Sequence, residues 1–269
     1  MSETLMPFIW VVIAFGILLL MQRWIHTHLH GVSMLITRRA EWAVIMYSLI
    51  LLPGVFLHEA SHWLTATFLG VRTGSFSLIP RRQGDGSIVL GYVEYYKGRT
   101  LGPIRESLIG GAPLIAGTAV ILLIGFKIFG VTDLALAINS GEIDNLSAAL
   151  GQVFATNDIL VWLYLLFAIS NAMMPSPADR RAWPAFLLVM IGLTIILMFL
   201  GVTDAVINGL AEPAALVFGY LGIAFSMAIA VDILFMILIA AVEWIVGRIR
   251  GVSVIYGAEP PPGTEKVVL

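Results

Sequence analysis

The stretch FLHEASHWL at residues 56–64 sets His58 and His62 one helical turn apart, with Glu59 directly after the first. On a helix that spacing puts both imidazoles on one face, where they can bind a single metal ion. Glu59 can then reach an activated water without itself binding the metal. This HExxH arrangement is that of zinc-assisted hydrolysis. Ionisable side chains are costly inside an apolar segment and mark function by default. Zinc of this kind needs a third protein ligand and leaves a fourth position open. The chain has no cysteine, so that ligand is another histidine or a carboxylate. Among the acids in or near apolar segments, the candidates are Asp158, Asp179, Asp232 and Glu243.

The elements that must position these groups are membrane spans. Of 269 residues, 59% are hydrophobic and 12% charged, with a mean hydropathy of +0.95. Soluble domains are about 45–50% apolar and about 25% charged. The net charge of −2 gives a nucleic-acid partner no electrostatic support. Apolar segments at about 5–22, 41–69, 103–129, 158–175, 183–202 and 214–246 predict an all-α multi-pass membrane protein of about six transmembrane helices. The last segment is long enough for one tilted helix or two. The first, MPFIWVVIAFGILLLM, lacks a basic flank and a cleavage pattern, so it reads as a retained span. The organisation expected is a first helix and a histidine-containing loop (1–40), a catalytic three-helix core (41–181), C-terminal helices (182–247) and a cytoplasmic tail (248–269). The loop holds HTHLH, whose His26, His28 and His30 align as a strand, whereas a helix aligns only the outer two. No acid lies near them in sequence.

Arginine and lysine set the expected orientation. Segment 70–105 carries Arg72, Arg81, Arg82, Lys97, Arg99 and Arg105, which places it in the cytoplasm. Segment 131–157 has no Lys or Arg and falls outside, as does 203–213, while Arg180, Arg181, Arg248 and Arg250 fall inside. The 41–69 span then runs inward, against the pair Arg38–Arg39 at its outer end. Between residues 72 and 97, TGSFSLIPRR and GSIVLGYVEYY are β-prone and separated by QGDG, which predicts a hairpin. Its edges cannot face lipid, so it sits at the cytoplasmic boundary or against protein.

These motifs resemble the site-2 protease family of intramembrane zinc metalloproteases. The chain has FLHEASH, then Asn171 and Asp179 with Pro175 and Pro177 between them. The similarity covers about residues 41–181, including the order of the HExxH helix, a β element and two further spans. It implies His58, His62 and Asp179 as ligands of Zn2+, Glu59 as general base and acid, and Asn171 as an oxyanion or substrate contact. Three departures accompany it. Arg180 follows the ligand aspartate where the family has glycine, and Ala116 stands where its Gly-Pro-x-x-Asn motif has asparagine. Segment 131–157 is also too short for a folded sensing domain.

The function expected is hydrolysis of peptide bonds within or near the transmembrane segment of membrane-anchored proteins. The lipid bilayer surrounds the enzyme, whose site faces the cytoplasmic side of the cell membrane. A helical substrate must be unwound to be cut, and an edge strand at 73–80 or 87–96 can receive it by β-addition. Two rival readings are a divalent-metal transporter, which needs no base at Glu59, and a catalytically silent protein that binds membrane clients.

Overall fold

The computed structural model describes residues 2–82, 88–95, 102–254 and 256. Helix α1 (Ser2–Thr37) turns at Arg38 into α2 (Ala40–Phe68), which carries the HExxH residues. Strands β1 (Thr73–Ser77), β2 (Arg81–Arg82), β3 (Ile88–Val89) and β4 (Tyr92–Tyr95) lead to α3 (Pro103–Lys127). Helices α4 (Val131–Ser140), α5 (Ile143–Phe154) and α6 (Ile159–Ala172) follow, then a 3-10 turn (Asp179–Ala182), α7 (Trp183–Phe199) and α8 (Thr203–Arg250). Five helices are long and apolar enough to cross a membrane, or six if the bent pair α5–α6 is one span. This is compatible with an all-α multi-pass architecture that carries a small antiparallel β element.

The β segment is antiparallel as expected. β1 pairs with β4 in the register Phe76↔Val93 and Ser77↔Tyr92, and β2 pairs with β3 through Arg81↔Val89. The QGDG turn and residues 87 and 96 lie outside the described residues.

Four expectations need correction. First, HTHLH is not in a loop, because α1 continues through it to Thr37. His26 and His30 then share a face and pack on Tyr47 of α2, with His26 hydrogen-bonded to its hydroxyl. His28 faces the other way, stacked on Trp24 and 2.8 Å from Glu243, the acidic partner that local sequence did not offer. Tyr256 donates to the same carboxylate at 3.1 Å. Burial and the neighbouring Glu243 raise that phenol's pKa above its usual value, which keeps it a donor.

Second, segment 131–157 is two helices rather than an open loop, and α5 meets α6 at 89°. Third, α6 has 14 residues, about 21 Å at 1.5 Å per residue, and so falls short of a bilayer core of about 30 Å. It stops where Pro175 and Pro177 forbid a further turn. The open question at 214–246 resolves into one continuous helix of 48 residues.

Fourth, the expected sidedness of the two ends does not hold together. α1 and α8 run parallel, with Phe8 against Phe218, Phe15 against Phe225 and His28 against Glu243. The Arg250 guanidinium donates to the Leu35 carbonyl. The five residue steps from Leu35 to Ala40 reach no more than about 18 Å even when extended, too little to cross a membrane of about 30 Å. The start of α2 and the C-terminal end of α8 therefore share one end of the molecule. Counting charges loop by loop cannot see that two helices distant in sequence lie side by side.

The core centres on α6, where Leu166, Phe167 and Ala168 are buried. α2 packs on it through Gly54, where a Cβ would lie 1.8 Å from the Ala168 carbonyl oxygen. Backbone cannot yield as a side chain does. Gly54→Ala is therefore expected to cost about 1–3 kcal/mol of stability, read as a lower unfolding midpoint in detergent. Gly16 is the control, since a Cβ added there would meet nothing within 4 Å. Gly16→Ala should be neutral or stabilising by up to about 1 kcal/mol.

Candidate metal centre

His58 and His62 face the junction of α3, α6 and the 3-10 turn. The His58 Nδ1 lies 2.6 Å from the Ala172 carbonyl, and the His62 Nδ1 lies 2.8 Å from the Ile109 carbonyl. A carbonyl only accepts, so each Nδ1 carries a hydrogen, and in the neutral ring each Nε2 then keeps its lone pair.

Those carbonyls are free because the sequence frees them. The residue four after Ile109 is Pro113, which has no N–H to complete the helical bond. The residue four after Ala172 is Ser176, whose N–H is taken by Asp179 Oδ2 at 2.7 Å. Pro175 likewise frees the Asn171 carbonyl, which accepts from Gln22 Nε2 at 2.7 Å and contacts His26 Nε2 at 3.3 Å. Inside a bilayer a carbonyl without a backbone donor must be satisfied by protein. Pro113 thus serves the site by freeing the acceptor that turns His62. Reading ligand types alone misses it, although a proline inside an apolar helix is a visible signal.

Asp179 completes the group. Its N–H is 3.3 Å from Ser176 Oγ, so side chain and backbone are both tied into the turn. Gly110 admits that turn against α3, since a Cβ there would lie 2.1 Å from the Asp179 carbonyl oxygen. Arg180 has no left-handed backbone, which is why glycine is not required after Asp179 here. The three ligand atoms converge. The two Nε2 atoms are 3.1 Å apart, with Asp179 Oδ1 3.1 Å from His62 and Oδ2 3.6 Å from His58. Tetrahedral zinc with bonds of about 2.0–2.1 Å has donor-to-donor edges of about 3.3–3.4 Å. Two lone pairs and a carboxylate pointed at one spot suit a cation, and the hydrogen-bonded Nδ1 atoms supply the orienting outer shell that metal-binding histidines use. The residues fit zinc.

The other acids separate. Asp158 lies at the opposite end of α6 from Ala172, Asp232 bonds to Ser170 and Asn171, and Glu243 bonds to His28 and Tyr256. Among the described residues, His58, His62 and Asp179 form the one group suited to a metal.

Glu59 is buried beside this group and lines the same cavity of about 760 Å3. The opposite wall is the segment entering β4, with Leu90, Gly91, Tyr92 and Val93. A Cβ on Gly91 would lie 2.9 Å from Glu59 Cγ, so glycine lets backbone approach the carboxylate side chain. Asn171 also lines the cavity, but its amide NH2 is committed to the Phe167 carbonyl and Asp232 Oδ1, both at 2.9 Å. What remains is Oδ1, which has no hydrogen-bond partner among the described residues. An acceptor cannot stabilise an oxyanion, so that expected role does not fit this geometry. Ala116 lines a separate apolar groove between α2 and α3, away from the ligands.

No protein-family model, curated protein or solved structure matches the chain.

Proposed function

We propose that the chain is a membrane-embedded zinc metalloprotease of the site-2 protease type, cutting membrane-anchored proteins within or near their transmembrane segment. One observation carries this reading: two imidazole Nε2 atoms converge with Asp179 beside a buried glutamate, in a cavity walled by β-prone backbone. His58, His62 and Asp179 hold the metal. Bound zinc supplies Lewis acidity for hydrolysis. Glu59 takes the proton from the attacking water at its carboxylate and returns it to the leaving amide nitrogen. Asn171, which lines the cavity, is the expected substrate contact. The pair β1–β4 beside α2 is the surface on which an extended substrate segment docks by β-addition.

The segments that flank the metal-centre residues in sequence carry Arg72, Arg81, Arg82, Arg105, Arg180 and Arg181. By the positive-inside rule these arginines favour a metal centre on the cytoplasmic side.

The test compares new protein termini in membranes of cells carrying wild type or Glu59→Gln. Termini inside transmembrane segments, present only with wild type, are expected and identify the substrates. Identical termini in both would overturn the protease reading and leave metal binding or transport.

A further inference from the structure

We propose that Asp232, on the C-terminal helix α8, is a positioning residue for the metal centre. It holds the last turn of α6, and through that turn the imidazole of His58. This rests on the metal-centre reading above.

Asp232 is 1% exposed within an apolar span. A carboxyl at that depth is retained only with partners and a purpose. Its Oδ1 accepts from Ser170 Oγ at 2.7 Å and from Asn171 Nδ2 at 2.9 Å. These two residues immediately precede Ala172, whose carbonyl holds the His58 Nδ1–H. The turn needs such help. α6 ends at Ala172, and a helix terminus that has lost its backbone donors frays unless side chains fasten it. Gln22 and His26 fasten it from α1 at the Asn171 carbonyl, and Asp232 fastens it from α8. Without Asp232 the α8 side is open and the Ala172 carbonyl can drift, taking the ring orientation of His58 with it. Packing between the two helices persists through the stacked rings of Phe167 and Phe235, 4.1 Å apart. Asn171 Nδ2 keeps its 2.9 Å bond to the Phe167 carbonyl, and the Ser170 hydroxyl, also 2.9 Å from that carbonyl, can turn its hydrogen to it, so losing Asp232 does not strand either donor.

The proposal requires an acceptor at 232, not a charge. The test uses the full chain in lipid nanodiscs, with zinc affinity from chelator competition and the visible spectrum of the cobalt-substituted protein. Asp232→Leu is expected to weaken zinc binding by about 10–100-fold, the usual effect of losing an outer-shell partner, and to alter the cobalt bands. Asp232→Asn keeps an acceptor oxygen and is expected to restore wild-type affinity and spectrum. Wild-type affinity and spectrum in Asp232→Leu overturn the proposal, even if the unfolding midpoint falls, because packing alone then explains Asp232. Binding by Asp232→Asn as weak as by Asp232→Leu overturns it too. Should Asp232→Leu fail to fold, Ser170→Ala removes one of the two donors and is expected to weaken zinc binding; no change overturns the proposal. A wild type that binds no zinc sinks the metal-centre reading itself, an outcome distinct from these.

Discussion

Glu59→Gln is expected to keep wild-type zinc content while lowering peptide-bond hydrolysis by about 10²–10⁴-fold, the usual contribution of a general acid–base group. Glutamine has the shape of glutamate, and Gly91, where a Cβ would meet both Glu59 Cγ and Val55 Cγ1, leaves the same room for either. What disappears is the capacity to take a proton from water and give it to the leaving nitrogen. The ligand set is untouched, because both imidazoles are oriented by backbone carbonyls and not by Glu59. Metal analysis of the purified variant, paired with cleavage of a single-span substrate in the same vesicles, separates the two properties. Unchanged cleavage would remove Glu59 from the chemistry. Zinc flux that survives the substitution in an otherwise inert protein would favour transport.

Asp179→Ala should abolish tight zinc binding, a larger loss than the roughly 10–100-fold that removal of an outer-shell partner produces. Three protein ligands are the working minimum for a hydrolytic zinc site, and among the described residues no other acid stands ready to replace this one. The fold should survive. The turn keeps the Asp179 N–H contact to Ser176 Oγ and the Arg180 N–H contact to the Ser176 carbonyl. Asp158→Ala is the matched control: this acid begins α6, at the end away from Ala172, and its loss should leave zinc affinity as it was. Competition with a chromophoric chelator measures both variants. Equal affinities for Asp179→Ala and wild type would remove Asp179 from the ligand set.

Periodicity and spacing by themselves determined the membrane class, the helical HExxH face, the proline-broken segment before Asp179 and the antiparallel β element after α2. Each is written within one turn or one strand, so neighbouring residues suffice to state it. Choosing Asp179 among four acids needed more, because ligation depends on atoms that come together only when α2, α3 and α6 pack. The same holds for the pairing of proline-freed carbonyls with imidazoles. Pro113 and Pro175 are plain in the sequence, but which side chain takes each carbonyl is decided by which helix lies across from it. The partners of Asp232 and His28 are some 60 and 215 residues away. The parallel course of α1 and α8, which brings the start of α2 and the end of α8 to one side, leaves no mark on any loop's charge. Sequence determines what each helix face offers, and packing over long separations decides which faces meet.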